Sequence, residues 1–440
     1  MSNFLSFLIK NKKLIIIGVL VIFAVVIVFG LRNPKPKQQK IDLTMWGIFD
    51  NSDVWRKLIG EFRGKYPNIN IHYIKKNFDT YEGDLINSMA AEDGPDIFII
   101  PNNWVVKHSD KLKPAPDGSI GLKQYQDTFV DAVFQDFVSP NKKIFGIPLY
   151  MNSLVLYWNK DLFAQAKIPN PPKTWKEFVN DVQFLTEKDE NGNIVQSGAA
   201  MGTAKNVNRA CDILTLLMLQ NGLKIIDLPH KKTDLNSDNF QKILGFYTDF
   251  ANPNSQAYAW NMRQHYSIDA FAEGKVAMMF NYSYLVPILR TKEPYLNFGL
   301  SAFPQLENTQ RKIYLAHYRG LVVSRHCQSP QAAWTFLLWL SQKQHSLEYL
   351  KLTQQAPARR DLMPQFIQDL NLGVVAQESI NAVSWTKIRP KAIESLFNQS
   401  IDQAAINHQS ISLIADQAIH SLNLMIQNFK NYDWINLGRK

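Results

Sequence analysis

The feature that most constrains the fold is an alternation of strand and helix patterns from Ile41 to Ile100. The segment "IDLTMW" has apolar residues at every second position, and apolar residues at helical spacing follow it up to Phe62. A second strand pattern, "INIHYI", and a second helix pattern precede "DIFII", which is apolar after Asp96, as expected of a strand buried on both faces. This β-α-β-α-β order predicts an α/β fold with a parallel sheet covered by helices.

Aromatic and polar residues follow the first and the third of these strands. Trp46 to Asp50 come at the end of the first strand, and Pro101 to Trp104 come at the end of the third. Ligands of such sheets bind beyond the carboxyl ends of the strands, so these residues are candidates for ligand contacts. For each aromatic residue taken alone, packing within a loop is the alternative.

The N-terminal part of the chain predicts a membrane segment. Residues 14–31 contain no charged residue, and at about 1.5 Å per residue they reach roughly 27 Å, close to the hydrocarbon thickness of a bilayer. Residues 1–13 are predicted to form a short cytoplasmic head, and residues 32–40 a charged, extended spacer. The expected location is therefore the cell membrane, with one span and the remaining chain on the extracytoplasmic side.

Two other interpretations of this segment compete with an uncleaved anchor. Val28 and Gly30 offer a cleavage site for a signal sequence, although the apolar core is long for a signal peptide. A bacterial lipoprotein would need a Cys directly after the segment, and the first cysteine is Cys211.

Composition limits the remaining possibilities. The chain has 440 residues, which predicts two or three domains, and a formal net charge of +10. Its basic residues are dispersed, so no nucleic-acid-binding surface is predicted. The only cysteines, Cys211 and Cys327, do not define a metal site or a disulfide framework and are expected to be buried thiols.

The sequence carries no recognisable catalytic motif. Its histidines show no H-E-x-x-H spacing, and neither G-x-S-x-G nor G-x-x-x-x-G-K-[ST] occurs. Carboxylate pairs abound in any chain of this length, so a glycosidase stays an alternative. A binding protein needs only a concave, aromatic-walled cleft with a few aimed hydrogen-bonding groups. We therefore expect no catalytic residue, metal or cofactor.

Several segments, in collinear order from about Ile41 to Phe429, carry a resemblance to a known family. They include "TMWG" followed by "YPNINIHY", "INSMAAEDGPDIFII", "FGIPLYMNSLVLYWNKDLFAQAKIPNPPKTWKEF", "FAEGKVAMMFN", "FGLSAFPQ" and "GLVVSRHCQSPQAAWTFLLWLS". The third is the most specific, with its aromatic-Asn-Lys strand end and its Pro-Pro-x-Thr-Trp. The chain resembles the extracellular solute-binding proteins that include maltose-binding protein, the receptor subunits of carbohydrate ABC importers.

The resemblance implies a two-lobed periplasmic-binding-protein fold with three hinge crossings. The crossings are expected near Ile147–Asn152, Met279–Tyr284 and His317–Leu321. The first lobe would combine residues 41–147 with 285–316, and the second would combine 148–284 with 317–440.

The same resemblance implies a set of ligand-binding residues. Trp46, Asp50, Asn103 with Trp104, Asn152, Tyr282, Tyr284 and Trp385 match or lie near ligand positions of the maltose-binding branch, and Tyr150 lies on the first expected crossing. Asn152 stands where that branch has a Glu, so the charge is lost. Ile100 stands where that branch has an aromatic residue, so maltose itself is not indicated. Tryptophan and tyrosine rings pack on the flat C–H faces of sugars, while amides and carboxylates satisfy the hydroxyl groups.

The expected function is capture of a carbohydrate, most simply an oligosaccharide, and its delivery to the permease subunits of an ABC importer by a monomeric, membrane-anchored protein. An exported glycan-acting enzyme and a sensor that reuses the fold are the alternatives.

Overall fold

The computed structural model describes residues 39–228 and 230–429, with residues 12–13, 16–17 and 19–22 near the N-terminus. Twelve of the eighteen residues of the predicted membrane segment, 14–31, therefore lie outside the described residues. Within the part that is described, no helix combines the length and the apolar character that crossing a membrane requires.

The strands are named in chain order. They are β1 (Ile41–Gly47), β2 (Ile69–Lys75), β3 (Ile97–Pro101), β4 (Leu112–Lys113), β5 (Gly146–Pro148), β6 (Leu154–Asn159), β7 (Glu187–Lys188), β8 (Ile194–Ala199), β9 (Val276–Tyr282), β10 (Phe298–Ser301), β11 (Tyr314–Leu315), β12 (Arg319–Ser324) and β13 (Ala382–Val383).

The α-helices are named in the same way. They are α1 (Ser52–Lys65), α2 (Tyr81–Ala90), α3 (Leu122–Thr128), α4 (Asp131–Phe137), α5 (Lys160–Gln165), α6 (Trp175–Leu185), α7 (Ala210–Gln220), α8 (Ser237–Thr248), α9 (Ser267–Ala272), α10 (Leu285–Lys292), α11 (Pro330–Leu340), α12 (Lys343–Thr353), α13 (Met363–Phe366), α14 (Gly373–Ser379), α15 (Pro390–Ala405) and α16 (Ile411–Gln427).

Two main sheets form the centres of two lobes. The first has the order β2-β1-β3-β12-β4, with β5 also paired to β12, and the second has the order β10-β6-β9-β8-β7. Strands β1, β2 and β3 pair in parallel, and every residue of β3 is buried. The predicted parallel β-α-β-α-β unit, and its doubly buried third strand, are therefore confirmed.

Helices cover each sheet with apolar faces. Helix α1 packs on β2 and buries Trp55, Leu58 and Phe62, and α11 packs on β12. On the second sheet α6 packs on β8, and α7, α8, α15 and α16 form a layer of mutually packed helices. Helix α6 begins at the predicted capping box, in which Thr174 and Glu177 bond each other's backbone N–H groups.

The strand pairing divides the chain differently from the predicted lobe boundaries. Residues 285–316 were assigned to the first lobe, but β10 pairs antiparallel with β6 in the second sheet. Residues from 317 onward were assigned to the second lobe, but β12 pairs with β3 and β5 in the first sheet. Both strands are short apolar stretches, and their apolar pattern does not specify which sheet they join. At these two strands the predicted assignment is wrong.

The chain passes between the sheets in the residues that join β5 to β6 and again in those that join β10 to β12. The segment near Met279–Tyr284, predicted to cross, instead ends β9 and leads through α10 back to β10 in the same sheet. A later segment, between α12 and α15, returns from helices on the first sheet to helices on the second. The end of β9 therefore borders the passage between the lobes without crossing it.

Candidate functional site

Three segments meet where the two sheets approach each other. The backbone N–H of His317 donates to the carbonyl of Asn152 at 2.8 Å, and the N–H of Asn152 donates back at 3.2 Å. Leu154 in turn pairs with Tyr282 at the end of β9. Residues from both lobes converge on this junction, so it is the candidate site.

The side chain of Asn152 holds the segments of the junction together by hydrogen bonds. Its side chain is 2% exposed; its Nδ2 donates to Oε1 of Gln355 at 3.2 Å, and its Oδ1 accepts from the hydroxyl of Ser283 at 2.5 Å. Both ends of the amide therefore have protein partners. In this arrangement Asn152 joins the segments of the junction, and its predicted contact with a ligand stays a prediction.

A charged cluster lies beside the junction, and we call Arg209, Asp212, Tyr282 and Lys387 the central cluster. One oxygen of the Asp212 carboxylate lies 3.5 Å from Nζ of Lys387, and the other lies 4.0 Å from the Arg209 guanidinium. The hydroxyl of Tyr282 donates to Asp212 at 3.1 Å. Burial alone would raise the pKa of Asp212, but the positive charges of Lys387 and Arg209 have the larger combined effect. The pKa of Asp212 is therefore lowered from its ordinary value. Asp212 is therefore ionised at neutral pH.

Arg209 is positioned by an unusual backbone conformation. It directly precedes α7 with a φ of 65°, in the left-handed region that non-glycine residues rarely adopt. Its guanidinium lies 5.4 Å from the ring centroid of Tyr282 and 5.8 Å from that of Tyr284, and it donates to the Tyr284 hydroxyl. The two tyrosine rings stack with centroids 6.0 Å apart. A strained residue held this firmly is a reason to suspect function.

His317 adds a neutral, half-buried ring to the site. Its imidazole centroid lies 4.9 Å from that of Tyr282. Desolvation and the positive charges of Arg319, Arg209 and Lys387 together lower the pKa of His317 to about 3, and the carboxylate of Asp212 offsets only part of this lowering. The ring is therefore uncharged and able both to donate and to accept a hydrogen bond.

A narrow pocket connects this junction to the end of β3. Its lining includes Asn103, Tyr282, His317, Trp385 and Lys387, and its volume is about 10 Å³, roughly the space of one water molecule. The Oδ1 of Asn103 and the Nε1 of Trp385 are buried without a hydrogen-bond partner. Unpaired buried polar atoms are costly, so two such atoms around one pocket mark it as a place where a ligand group would be satisfied.

A second group of side chains lies around Arg319, and we call Phe49, Asp50, Tyr150, Arg319 and Tyr349 the Arg319 group. The guanidinium of Arg319 donates to the Tyr150 hydroxyl at 2.9 Å and lies 4.6 Å from the centroid of Phe49. The carboxylate of Asp50 accepts from the Tyr349 hydroxyl at 3.0 Å, and burial raises the pKa of Asp50. The Arg319 group joins the ends of β1 and β5 to the start of β12.

An exposed aromatic pair lies next to the Arg319 group. Phe49 is 52% exposed and Phe78 is 55% exposed, and their ring centroids lie 5.2 Å apart. Phe49 follows β1 and Phe78 follows β2, so both lie beyond the carboxyl ends of parallel strands. Solvent-facing rings at this edge offer a flat apolar surface to a ligand.

The structure brings together most, but not all, of the predicted site residues. Asn103, Tyr282 and Trp385 line the pocket, and Tyr284 stacks on Tyr282. Asp50 and Tyr150 belong to the Arg319 group, and Asn152 joins the segments of the junction. Trp46 instead lies under the ammonium of Lys76, 4.1 Å from its ring centroid. Trp104 packs against Tyr81 with centroids 6.4 Å apart and against His108. These contacts do not link Trp46 or Trp104 to the pocket.

Sequence reasoning missed the residues that dominate the electrostatics of the site. Arg209, Asp212, His317, Arg319 and Lys387 were not among the predicted residues. His317 and Arg319 could have been found, because both lie on or beside a segment expected to border the cleft. A charged pair at the start of α7, a helix buried on nearly all sides, was a second signal.

The chemistry of the site suits recognition more than catalysis. It offers aromatic rings, a neutral imidazole and charged hydrogen-bond donors at the meeting of two lobes. Among the described residues, no group of three or more His, Cys, Asp or Glu side chains is arranged to hold a metal ion. Cys211 and Cys327 are free and buried, as predicted.

Comparisons with known proteins agree with this description. Residues 50–345 match the family model described as bacterial extracellular solute-binding protein. The maltodextrin-binding protein MdxE of Bacillus subtilis is 23% identical over 343 residues, which cover 74% of this chain and 75% of that protein.

Solved structures share the fold over nearly their whole length. The cyclic alpha-maltosyl-1,6-maltose binding protein from Arthrobacter globiformis has a TM-score of 0.75 and 19% identity, covering 88% of this chain and 100% of that one. The sugar-binding protein MalE from Xanthomonas citri has a TM-score of 0.73 and 17% identity, and the match covers 90% of this chain and 98% of that one. The chain therefore has a two-lobed α/β binding-protein fold and belongs to the bacterial extracellular solute-binding protein family, as its sequence resemblance predicted.

Proposed function

We propose that this protein captures a carbohydrate between its two lobes and delivers it to an ABC importer. The observation that carries the proposal is the junction itself, where aromatic rings and unpaired polar atoms from both lobes surround one pocket. Names of relatives support the ligand class: MdxE is a maltodextrin-binding protein, and the neighbour from Arthrobacter globiformis binds a cyclic maltosyl-maltose.

The residue types support a sugar ligand in physical terms. Stacked rings such as Tyr282 with Tyr284, and Phe49 with Phe78, match the apolar faces of pyranose rings. The imidazole of His317, the indole N–H of Trp385 and the amide of Asn103 supply donors and acceptors for hydroxyl groups. A hydroxyl group left unpaired in a closed cleft would cost about 1–3 kcal/mol, which gives selectivity among sugars.

The proposal includes hinge motion of the lobes. The pocket has a volume of only about 10 Å³, so an oligosaccharide enters only when the lobes separate. The segments that join β5 to β6 and β10 to β12 are the places where backbone rotation would open the cleft. Residues 14–31 would anchor the protein in the cell membrane, with the lobes outside the cytoplasm.

A thermal-shift screen of the full-length protein tests the ligand class. Malto-, cello-, xylo- and manno-oligosaccharides are compared with di- to tetrapeptides and polyamines. A ligand present at one hundred times its Kd stabilises the folded state by about 2.7 kcal/mol, which raises the melting temperature measurably. Stabilisation by saccharides alone supports the proposal. Stabilisation by peptides or polyamines, with every saccharide inert, would show that the ligand is not a carbohydrate.

A further inference from the structure

Three cationic side chains surround the candidate site: Arg209, Arg319 and Lys387. Arg209 and Lys387 share the carboxylate of Asp212, at 4.0 Å and 3.5 Å. Lys387 is also attracted by the more distant Glu394. These two cations therefore have acidic partners on their own lobe, even though neither distance is that of a close ion pair.

Within the part of the chain that the structure describes, Arg319 has no such partner. Its guanidinium donates a hydrogen bond to a neutral group, the hydroxyl of Tyr150, and its Nε is buried without a partner among the residues that the structure describes. Among the described residues, no carboxylate oxygen lies within 4.0 Å of this guanidinium. Asp50 attracts Arg319 from farther away, but the Asp50 carboxylate is bonded to Tyr349. A guanidinium at a cleft with an unused buried N–H is arranged to meet an anion.

The surroundings of Arg319 indicate what carries that anion. Its guanidinium lies 4.6 Å from the ring of Phe49, and Phe49 continues into the exposed aromatic pair with Phe78. Arginine presents parallel N–H groups that match a carboxylate, and the exposed rings offer a surface for the apolar face of a pyranose. One ligand that satisfies both features is a sugar ring bearing a carboxylate.

We propose that the solute is an acidic carbohydrate of the uronic-acid type, with its carboxylate bound by Arg319 and a sugar ring packed against Phe49 and Phe78. This inference rests on the proposed function, because it names the class of carbohydrate that the cleft takes. The neutral His317 and the central cluster are left to contact hydroxyl groups farther along the ligand.

Titration calorimetry on the full-length protein separates the charge of the ligand from its sugar character. Uronate-containing di- to tetrasaccharides are compared with the same compounds as methyl esters, with sulfated saccharides, and with neutral oligosaccharides. We expect a free uronate to bind at least about tenfold more tightly than its methyl ester, and its affinity to fall with added salt.

Variants locate the charged contact. Arg319→Gln should weaken uronate binding at least about tenfold more than it weakens binding of the methyl ester, while Arg319→Lys should restore part of the loss. Arg311→Gln makes the same change of charge at an exposed position outside the candidate site and should have no effect. If Arg319→Gln does not fold, the comparison of acid with ester on the unaltered protein still decides the question.

The outcomes distinguish this inference from the proposed function. Equal binding of acid and ester, binding of neutral oligosaccharides alone, or binding of sulfated saccharides alone would overturn the inference and leave carbohydrate capture standing. If peptides or polyamines bind and no saccharide of any class does, carbohydrate capture itself is refuted.

Discussion

A buried carboxyl group beside the junction makes the stability of this protein depend on pH. Glu378, in α14, is 1% exposed. Its Oε1 accepts from the backbone N–H of Phe303 at 2.9 Å, and its Oε2 is hydrogen-bonded to the hydroxyl of Ser153, directly after Asn152. Burial raises the pKa of Glu378 from 4.5 to about 8, which these hydrogen bonds only partly offset. The side chain is therefore protonated in the folded state at neutral pH.

The sign of the effect follows from the two pKa values. The folded-state pKa lies above the unfolded value, so the stabilising contribution is complete below about pH 4.5 and is lost as the pH rises to about 8. Between these limits each pH unit lowers the free energy of unfolding by up to about 1.4 kcal/mol. From about pH 5.5 to about pH 7.5 the loss from this group is on the order of 2–3 kcal/mol.

Glu378→Gln isolates this contribution. The amide carries one acceptor and one donor group, as the protonated carboxyl does, so both hydrogen bonds are kept while ionisation is removed. Urea unfolding at the two pH values should show that the stability of the variant relative to the unaltered protein increases by on the order of 2–3 kcal/mol from the lower pH to the higher one. Glu307→Gln, at an exposed position, is the control. An unaltered pH dependence in Glu378→Gln would refute the reasoning.

Three further substitutions probe the site. Asn152→Ala should lower the free energy of unfolding by about 2–3 kcal/mol, measured by urea unfolding, because it leaves the buried hydroxyl of Ser283 without its acceptor. Asp212→Asn should cost about 3 kcal/mol, since the attraction to Lys387 at 3.5 Å is lost, and Lys387→Met added to it should restore part of this. Phe49→Ala should change the free energy of unfolding by less than about 0.5 kcal/mol, because Phe49 is 52% exposed. The same substitution should weaken saccharide binding about tenfold, measured by calorimetry, because it removes a ring on which the sugar is proposed to pack.

Each of these expectations has an outcome that contradicts it. Full stability of Asn152→Ala with weakened ligand binding would return Asn152 to the role of a direct ligand contact. A double variant at Asp212 and Lys387 that is no more stable than Asp212→Asn alone would show that the two charges are not coupled. Phe184→Ala removes a ring that is 75% exposed and lies outside the candidate site, and an equal loss of affinity there would discount the role of Phe49.

Local patterns predicted the elements, and pairing between distant segments was harder to predict. The strand at Asp96–Ile100 and the capping box at Thr174 depend on neighbouring residues, and both are confirmed. The membership of β10 and β12 depends on which distant strand each one meets, and both short apolar strands fit either sheet equally well. The predicted lobe boundaries failed at these two strands for that reason.

The site shows the same division between local and long-range information. Asn103, predicted from its place after the third strand, lines the pocket, and so do Tyr282 and Trp385, which were predicted from the resemblance to the family. Trp46 and Trp104, also predicted from strand ends, do not line it. The central cluster was missed because Asp212 and Lys387 are far apart in sequence and meet only when α7 packs near the segment that precedes α15. Charged residues of this kind resemble surface residues until the fold places them together.

The central claim, that a saccharide binds at the junction of the two lobes, is tested most directly by hydrogen–deuterium exchange. Exchange is measured on the full-length protein with and without a saccharide at saturating concentration. We expect slower exchange in peptides covering 209–212, 281–284, 315–319 and 384–387 when the saccharide is bound. Protection confined to a separate surface pocket, formed in part by residues 258 and 261–263 with 405, 406 and 408, would contradict it.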